Sequence, residues 1–264
     1  MKKVVLVLCS IVLCAGSALA KEQCFIAKEN GKVLQSEGDC ATSYGPQSTF
    51  KIALSLIGFD SGVLKDETHP LWSLPDGADP YINVCKGDHN PRTWLRDSCL
   101  WYSRILTKKL GVKKFQDYVT KFSYGNMDLS GDKDQNNGLT QAWVSSSLKI
   151  SPEGQVDFLQ KVVDRKLPIS SASYDKTKKI MFIQETAGGW KLYGKTGNGT
   201  QLDKDGNKTD LQQGWFVGYI EKGNRRIVFA SHITDDEKQN IFASFRARNE
   251  ALNKLWYLIN ELEK

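Results

Sequence analysis

The sequence predicts an α+β fold in which strands from both chain ends form one antiparallel sheet flanked by helices. A mostly helical block, roughly 61–185, is inserted between them. Three observations carry this. A strand–turn–strand pattern opens the chain after a short leader. Strand-like runs return only after residue 185. Between them, apolar residues recur at helical spacing.

The first element is a hairpin. Residues 25–28 and 32–35 flank Glu29-Asn30-Gly31, and Asn-Gly between two short alternating runs is a strong hairpin signal. From Ser48, the apolar residues Phe50, Ile52, Leu54, Leu56 and Ile57 predict a buried helix with Ser48 near its start. Residues 98–110 read as a helix that Gly111 caps, with Ser98 suited to an N-cap. Residues 112–122 form a second helix. Ser151-Pro152-Glu153 starts a third, with proline at its first position and Phe158, Leu159, Val162 and Val163 on its apolar side. Residues 128–138 are a polar loop. Residues 190–193, 214–220 and 226–233 are strand-like. Residues 240–262 close the chain as an amphipathic helix. No internal repeat or low-complexity tract interrupts the pattern.

The first twenty residues stand apart. Lys2 and Lys3 precede an apolar run over 4–13, and Ala18-Leu19-Ala20 offers a small-residue cleavage site. That is the pattern of a secretory signal peptide. The run is short for a membrane span. A lipid-modified Cys14 is the alternative, and the Ala-Leu-Ala ending favours simple cleavage before Lys21. The expected mature domain is therefore 21–264, with no membrane anchor after cleavage. That length affords a sizeable core.

The whole chain has 264 residues and a net charge of +6. Without Lys2 and Lys3 the mature form carries +4, spread along the sequence. Nucleic-acid binding needs a clustered basic stripe, and none is present. Cys9 and Cys14 leave with the leader, so Cys24, Cys40, Cys85 and Cys99 remain. Export places them in an oxidising compartment. Four cysteines allow three pairings, and sequence alone does not choose among them. The intervening hairpin favours Cys24 with Cys40, which leaves Cys85 with Cys99; free buried thiols stay open as well. No Cys-x-x-Cys occurs, and no metal site is expected.

Two short motifs carry chemistry. In Ser48-Thr49-Phe50-Lys51, helical spacing brings Lys51 to the face of Ser48. A serine hydroxyl needs a base to become a nucleophile, and a desolvated lysine supplies one. Alone, Ser-x-x-Lys is common by chance. Lys195-Thr196-Gly197 follows a strand-like run; its lysine and threonine can hold a carboxylate, and its glycine lets a ligand approach the backbone. Alone it reads equally well as a charged turn. In this order, with helix at the first and strand at the second, the pair is one shared by penicillin-binding proteins and class A β-lactamases.

Further matches narrow this. Ser98-Cys99-Leu100, Tyr124-Gly125-Asn126, Trp143 ahead of Leu148-Lys149-Ile150-Ser151, Tyr193-Gly194-Lys195-Thr196-Gly197 and Gly214-Trp215-Phe216-Val217-Gly218 follow in order. With them the mature chain resembles, almost end to end, the class D serine β-lactamases, or oxacillinases. A class A assignment fails because Ser-Asp-Asn is missing. Glu250-Ala251-Leu252-Asn253 also falls after Lys195-Thr196-Gly197, in the wrong order. A Ser-His-Asp hydrolase fails because there is no Gly-x-Ser-x-Gly, and His69, His89 and His232 sit in no triad context. Two glycosylation sequons, at Asn198 and Asn207, are read as coincidental.

The resemblance implies a hydrolase that opens the β-lactam ring of penicillin-type antibiotics and confers resistance to them. Ser48 would be the nucleophile. Lys51, carboxylated by carbon dioxide, would be the base in both half-reactions, with no other cofactor. Trp143 would donate to that carbamate. Without the resemblance it reads as a core tryptophan. Ser98 would pass a proton to the leaving nitrogen. Lys195, Thr196 and Gly197 would bind substrate, with the N–H groups of Ser48 and Asn198 as oxyanion hole. Arg246 would bind the carboxylate, with Arg248 close enough in sequence to be confused with it. Tyr124 and Asn126 would be scaffold. Leu100 departs from the family's valine beside the modified lysine. Monomer and homodimer both fit, and the expected location is the periplasm. The rival readings are a membrane-tethered β-lactam sensor domain, which acylates and stops, and a peptidoglycan transpeptidase, whose second motif usually carries Ser-x-Asn.

Overall fold

The computed structural model describes residues 23–264, so the expected signal peptide, 1–20, lies outside the described residues. The chain opens with strands β1 (Gln23–Glu29) and β2 (Lys32–Gly38). Asn30 and Gly31 both have positive φ, 52° and 78°, as a two-residue hairpin turn of the right twist requires. A 3₁₀ turn over Gln47–Phe50 then feeds helix α1 (Lys51–Asp60).

Next come β3 (Trp72–Ser73), β4 (Asp88–His89), α2 (Pro91–Asp97), α3 (Leu100–Leu110), α4 (Val112–Phe122), α5 (Gly138–Gln141), α6 (Pro152–Val163) and α7 (Ser171–Met181). The caps explain several boundaries. Asn90 and Thr93 form a capping box on α2, with Pro91 at its first position. The Ser151 side chain accepts from the Gly154 N–H at the start of α6. The chain ends with β5 (Phe182–Glu185), β6 (Lys191–Leu202), β7 (Lys208–Lys222), β8 (Arg225–Thr234) and α8 (Ala243–Leu262).

Among the described residues the main sheet has six antiparallel strands in the order β2-β1-β8-β7-β6-β5. The N-terminal hairpin therefore docks on the last strand, Cys24 opposite His232, and the helices between β2 and β5 lie between the two halves of the sheet in sequence. Strand alternation sends Ile26, Val217, Val228 and Ala230 into a core shared with α1, α3, α4 and α6. Phe25, Ala27, Phe216 and Phe229 face the other way, into a second core closed by Ala247, Ala251 and Leu255 of α8. Each fully buried large apolar side chain in these layers contributes about 1.5–3 kcal/mol.

Both disulfides form, Cys24–Cys40 and Cys85–Cys99. Two helix boundaries differ from the sequence reading. The expected helix over 98–110 begins at Leu100, because Ser98 adopts a left-handed backbone (φ 69°, ψ 29°) and caps the C-terminus of α2. The expected helix over 240–262 begins at Ala243, where side chains from β6 and β7 take its first N–H groups.

Candidate active site

Ser48 lies on the 3₁₀ turn and Lys51 is the first residue of α1. The Lys51 Nζ donates to Ser48 Oγ at 2.9 Å, the contact expected of groups three residues apart on one helical face. Lys51 is fully buried. Its pKa lies well below the ordinary lysine value, first through desolvation and then through repulsion from Lys195 and Arg104. The shift favours the neutral amine, the state in which it can accept a proton.

The turn is fixed from three sides. The Gln47 N–H donates to the Trp143 carbonyl, and Gln47 Nε2 donates to Ser145 Oγ at 2.5 Å. Gln47 itself has φ 52°, a conformation these two bonds help to impose. Trp215 donates its indole N–H to the Gly45 carbonyl. Thr49 Oγ1 donates to the Pro46 carbonyl and receives the side-chain amide of Gln155, whose oxygen faces the Tyr124 hydroxyl.

β6 forms the opposite wall. β5 pairs only with Lys191, Leu192 and Tyr193, so the edge of β6 beyond Gly194 has no strand partner among the described residues. Gly197 lies so close to the serine turn that a Cβ there would come within 3.2 Å of the Ser48 nitrogen and 3.1 Å of the Pro46 carbonyl. Lys195 is buried on this strand, with its Nζ near the Thr196 carbonyl and hydroxyl. Desolvation lowers its pKa to about 7, against an opposing pull from Asp97. Gly194, Lys195 and Thr196 line a cleft of about 250 Å³ with Leu95, Met181 and Arg248; Ser48 and Lys51 lie outside its lining.

Trp143 follows α5 and is 1% exposed, its ring 5.7 Å from that of Phe50 and edge-on to Phe115. Its Nε1 is buried without a hydrogen-bond partner. Buried indole N–H groups are rarely left so, which makes this a donor awaiting an acceptor. Tyr124-Gly125-Asn126 holds the segment in place. The Asn126 N–H donates to the Lys149 carbonyl, its side-chain oxygen accepts from the Lys149 N–H, and its side-chain nitrogen donates to the Ser147 carbonyl. Gly125 has φ 54°, and a Cβ there would stand 2.0 Å from the Lys149 oxygen, so only glycine fits.

Ser98 sits between Asp97, which Arg96 grips through two hydrogen bonds, and Cys99, which is bonded to Cys85. Leu100 starts α3 and is half-buried against the helical core. The Asn198 side chain has a structural task that the sequence did not signal. Its oxygen accepts from the Ser244 N–H and its nitrogen donates to Gln212, whose oxygen takes the Ala243 N–H. Together they satisfy the N-terminus of α8. Arg246 is committed elsewhere, with Nη2 2.7 Å from the buried Asp235 carboxylate and Nε donating to the Ile241 carbonyl. Arg248 instead lines the cleft, with a buried, unpartnered Nε. Arg104 was also missed. It donates from α3 to Thr140 and Gln141 of α5, just ahead of Trp143. Its only sequence signal is a cation at a half-buried helical position.

The histidines are engaged away from Ser48. His69 pairs with Asp66, and His89 faces Asp97. His232 is stacked between Tyr44 and Trp215, where burial lowers its pKa to about 3. A half-buried serine bonded to a buried lysine, beside a free sheet edge carrying a second lysine, is thus the arrangement present.

Comparison with known proteins agrees. Residues 17–256 match the family described as penicillin binding protein transpeptidase domain. The chain is 40% identical over 240 residues to β-lactamase OXA-1 of Escherichia coli, covering 89% of this chain and 84% of that one. It is 42% identical over 231 residues to β-lactamase OXA-9 of Klebsiella pneumoniae, covering 85% and 83%. The crystal structure of the class D β-lactamase OXA-427 superposes with a TM-score of 0.86 at 40% identity, covering 91% of this chain and 99% of the other. The chain therefore belongs to the class D β-lactamases.

Proposed function

We propose that this enzyme hydrolyses the β-lactam amide of penicillin-type antibiotics through an acyl-enzyme on Ser48, with Lys51 as general base, and so confers resistance to them. The observation that carries the reading is the 2.9 Å contact between Lys51 Nζ and Ser48 Oγ in a site whose burial lowers the amine's pKa. Lys51 accepts the hydroxyl proton as Ser48 Oγ attacks the lactam carbonyl. The backbone N–H groups of Ser48 and Asn198 receive the oxyanion, which the closeness of Gly197 to the Ser48 nitrogen supports. The carbonyl–nitrogen bond then breaks, and Ser98 relays a proton to the ring nitrogen. Lys195 and Thr196 hold the substrate carboxylate. Of the two arginines, Arg248 suits that task better than Arg246, since it shares a cleft with Lys195 and Thr196 while Arg246 is held by Asp235.

Deacylation needs a base for water. No carboxylate partners Ser48 or Lys51 among the described residues, so the same lysine serves both half-reactions. Carboxylation of Lys51 by carbon dioxide would supply an anionic oxygen base there. The surrounding residues fit such a group: burial shifts Lys51 toward its neutral form, the Trp143 N–H lacks an acceptor, and Lys195 and Arg104 are near enough to act on Lys51 electrostatically. Leu100, at the start of α3, shapes how much water reaches it. We further propose cleavage after Ala20, a mature domain over 21–264 and a periplasmic location. The leader pattern supports this, and no helix among the described residues is long and apolar enough to cross a membrane.

The test is turnover. Purified mature protein should hydrolyse a chromogenic cephalosporin through many equivalents. A burst of one equivalent followed by arrest would overturn the hydrolytic reading and favour a sensor.

A further inference from the structure

Beside Ser98 the fold gathers a second set of reactive groups that the hydrolytic mechanism does not use. The sulfurs of Cys85 and Cys99 and a ring nitrogen of His89 lie within 4.8 Å of one another, and all three residues are buried. They come from separate elements: Cys85 from a 3₁₀ turn, His89 from β4, and Cys99 from the N-cap of α3. The His89 ring is already oriented. Its Nε2 faces the Asp97 carboxylate at 3.5 Å, and the edge of Trp101 meets its face. Its Nδ1 is buried with no hydrogen-bond partner. A carboxylate on one imidazole nitrogen with the other left free is the arrangement that surrounds metal-binding histidines. Trp101 also donates to the Cys85 carbonyl, which pins the turn carrying that sulfur.

We propose that the dithiol form of this chain binds a thiophilic divalent cation of the zinc class through Cys85, Cys99 and His89. The site alternates with the Cys85–Cys99 disulfide. Opening the disulfide takes two electrons and two protons; with a trialkylphosphine and water, the products are two thiols and one phosphine oxide. Metal binding then expels both thiol protons, leaving two thiolates and a neutral imidazole as ligands. A fourth position stays open to water. The form that binds metal is the chain before oxidation, or after reduction. The proposal stands apart from the hydrolytic reading, since neither Ser48 nor Lys51 takes part.

Cobalt(II) is the probe. C24S/C40S protein lacking residues 1–20, and with them Cys9 and Cys14, leaves only the Cys85–Cys99 pair to open. After phosphine reduction under nitrogen, one equivalent of Co²⁺ should give thiolate charge-transfer and d–d absorption that one equivalent of Zn²⁺ abolishes. The oxidised protein should give none. D97N should weaken binding roughly 10-fold or more while keeping the spectrum, and H89A should change the d–d bands. The complementary C85S/C99S protein, reduced at Cys24–Cys40, is the control. Equal absorption in that control would overturn the proposal. So would the absence of charge-transfer in reduced C24S/C40S protein whose circular dichroism is native, or d–d bands unmoved by H89A.

Discussion

Replacing Trp143 by phenylalanine separates a hydrogen-bonding role from a packing role. The indole Nε1 is buried and unpartnered, while its ring fills space beside Phe50 and Phe115. Phenylalanine keeps most of that ring and loses the N–H. If the N–H serves a carbamate on Lys51, the lost bond to a charged acceptor is worth about 1.5–3 kcal/mol. That is a roughly 10- to 150-fold weaker apparent affinity for carbon dioxide, at 1.4 kcal/mol per factor of ten. The stability of the uncarboxylated protein should move little. Removing an unsatisfied buried donor relieves about 1–3 kcal/mol, against a comparable cost for the small void left behind. The assay is a bicarbonate titration of hydrolysis, alongside a ¹³C NMR titration of the carbamate signal with labelled bicarbonate. W143F should need far more bicarbonate for half-maximal response on both readouts, with melting temperature nearly unchanged. Equal bicarbonate curves for W143F and the parent would refute the reasoning, and loss of activity that tracks lost stability would reduce Trp143 to a core residue.

Four further outcomes follow from the structure. Lys195 has its folded pKa lowered to about 7, so between about pH 7 and the unfolded lysine value of about 10.4 the unfolded chain binds the extra proton; stability should rise with pH across that window, by up to about 1.4 kcal/mol per unit from this group. The same titration removes the cation that would hold substrate, so KM should rise as pH passes upward through about 7 without bicarbonate, and a carbamate on Lys51 should move that limb to higher pH; pH profiles with and without bicarbonate check both. Asn198→Ala should lose about 1 kcal/mol by stripping the cap of α8, seen as a lower melting temperature, while kcat stays close to the parent because the oxyanion donor proposed at this position is backbone. Gly125→Ala should cost about 1–3 kcal/mol, from its φ of 54° and the clash with the Lys149 oxygen, and its melting temperature should fall accordingly.

Much of this was legible in the residues. The Asn-Gly hairpin, the buried helix after Ser48 and the late strands are set by local rules, turn chemistry and apolar period; the hairpin and helix folded as read, while β6 and β7 run longer than their apolar cores and β5 (Phe182–Glu185) falls inside the block read as helical. The Ser48–Lys51 contact was legible for the same reason, since three residues on a helix leave little freedom. The errors have a common cause. Ser98 looks like an N-cap because serine before an apolar run usually is one. Here α2 ends at Asp97, Ser98 is its left-handed C-cap, and Cys99 takes the N-cap of α3. Nothing within ten residues of Ser98 announces α2's end so sharply.

Asn198 and the two arginines extend the point to chemistry. Asn198 stands next to Lys195-Thr196-Gly197, yet its side chain points at Ser244, forty-six positions away, and secures the helix that carries Arg246 and Arg248. Which arginine faces the cleft then depends on Asp235 at the end of β8, which takes Arg246 and leaves Arg248 free to line it. Two arginines two residues apart are interchangeable to any local reading, because a helix separates them by about half a turn. A buried carboxylate from another strand breaks the tie. Asp235→Asn should therefore loosen Arg246 without recruiting it to the substrate, whereas Arg248→Ala should raise KM for carboxylate-bearing β-lactams several-fold. If Arg246→Ala produced that KM effect and Arg248→Ala did not, Asp235 would be steering the wrong residue and the carboxylate assignment would have to be reversed.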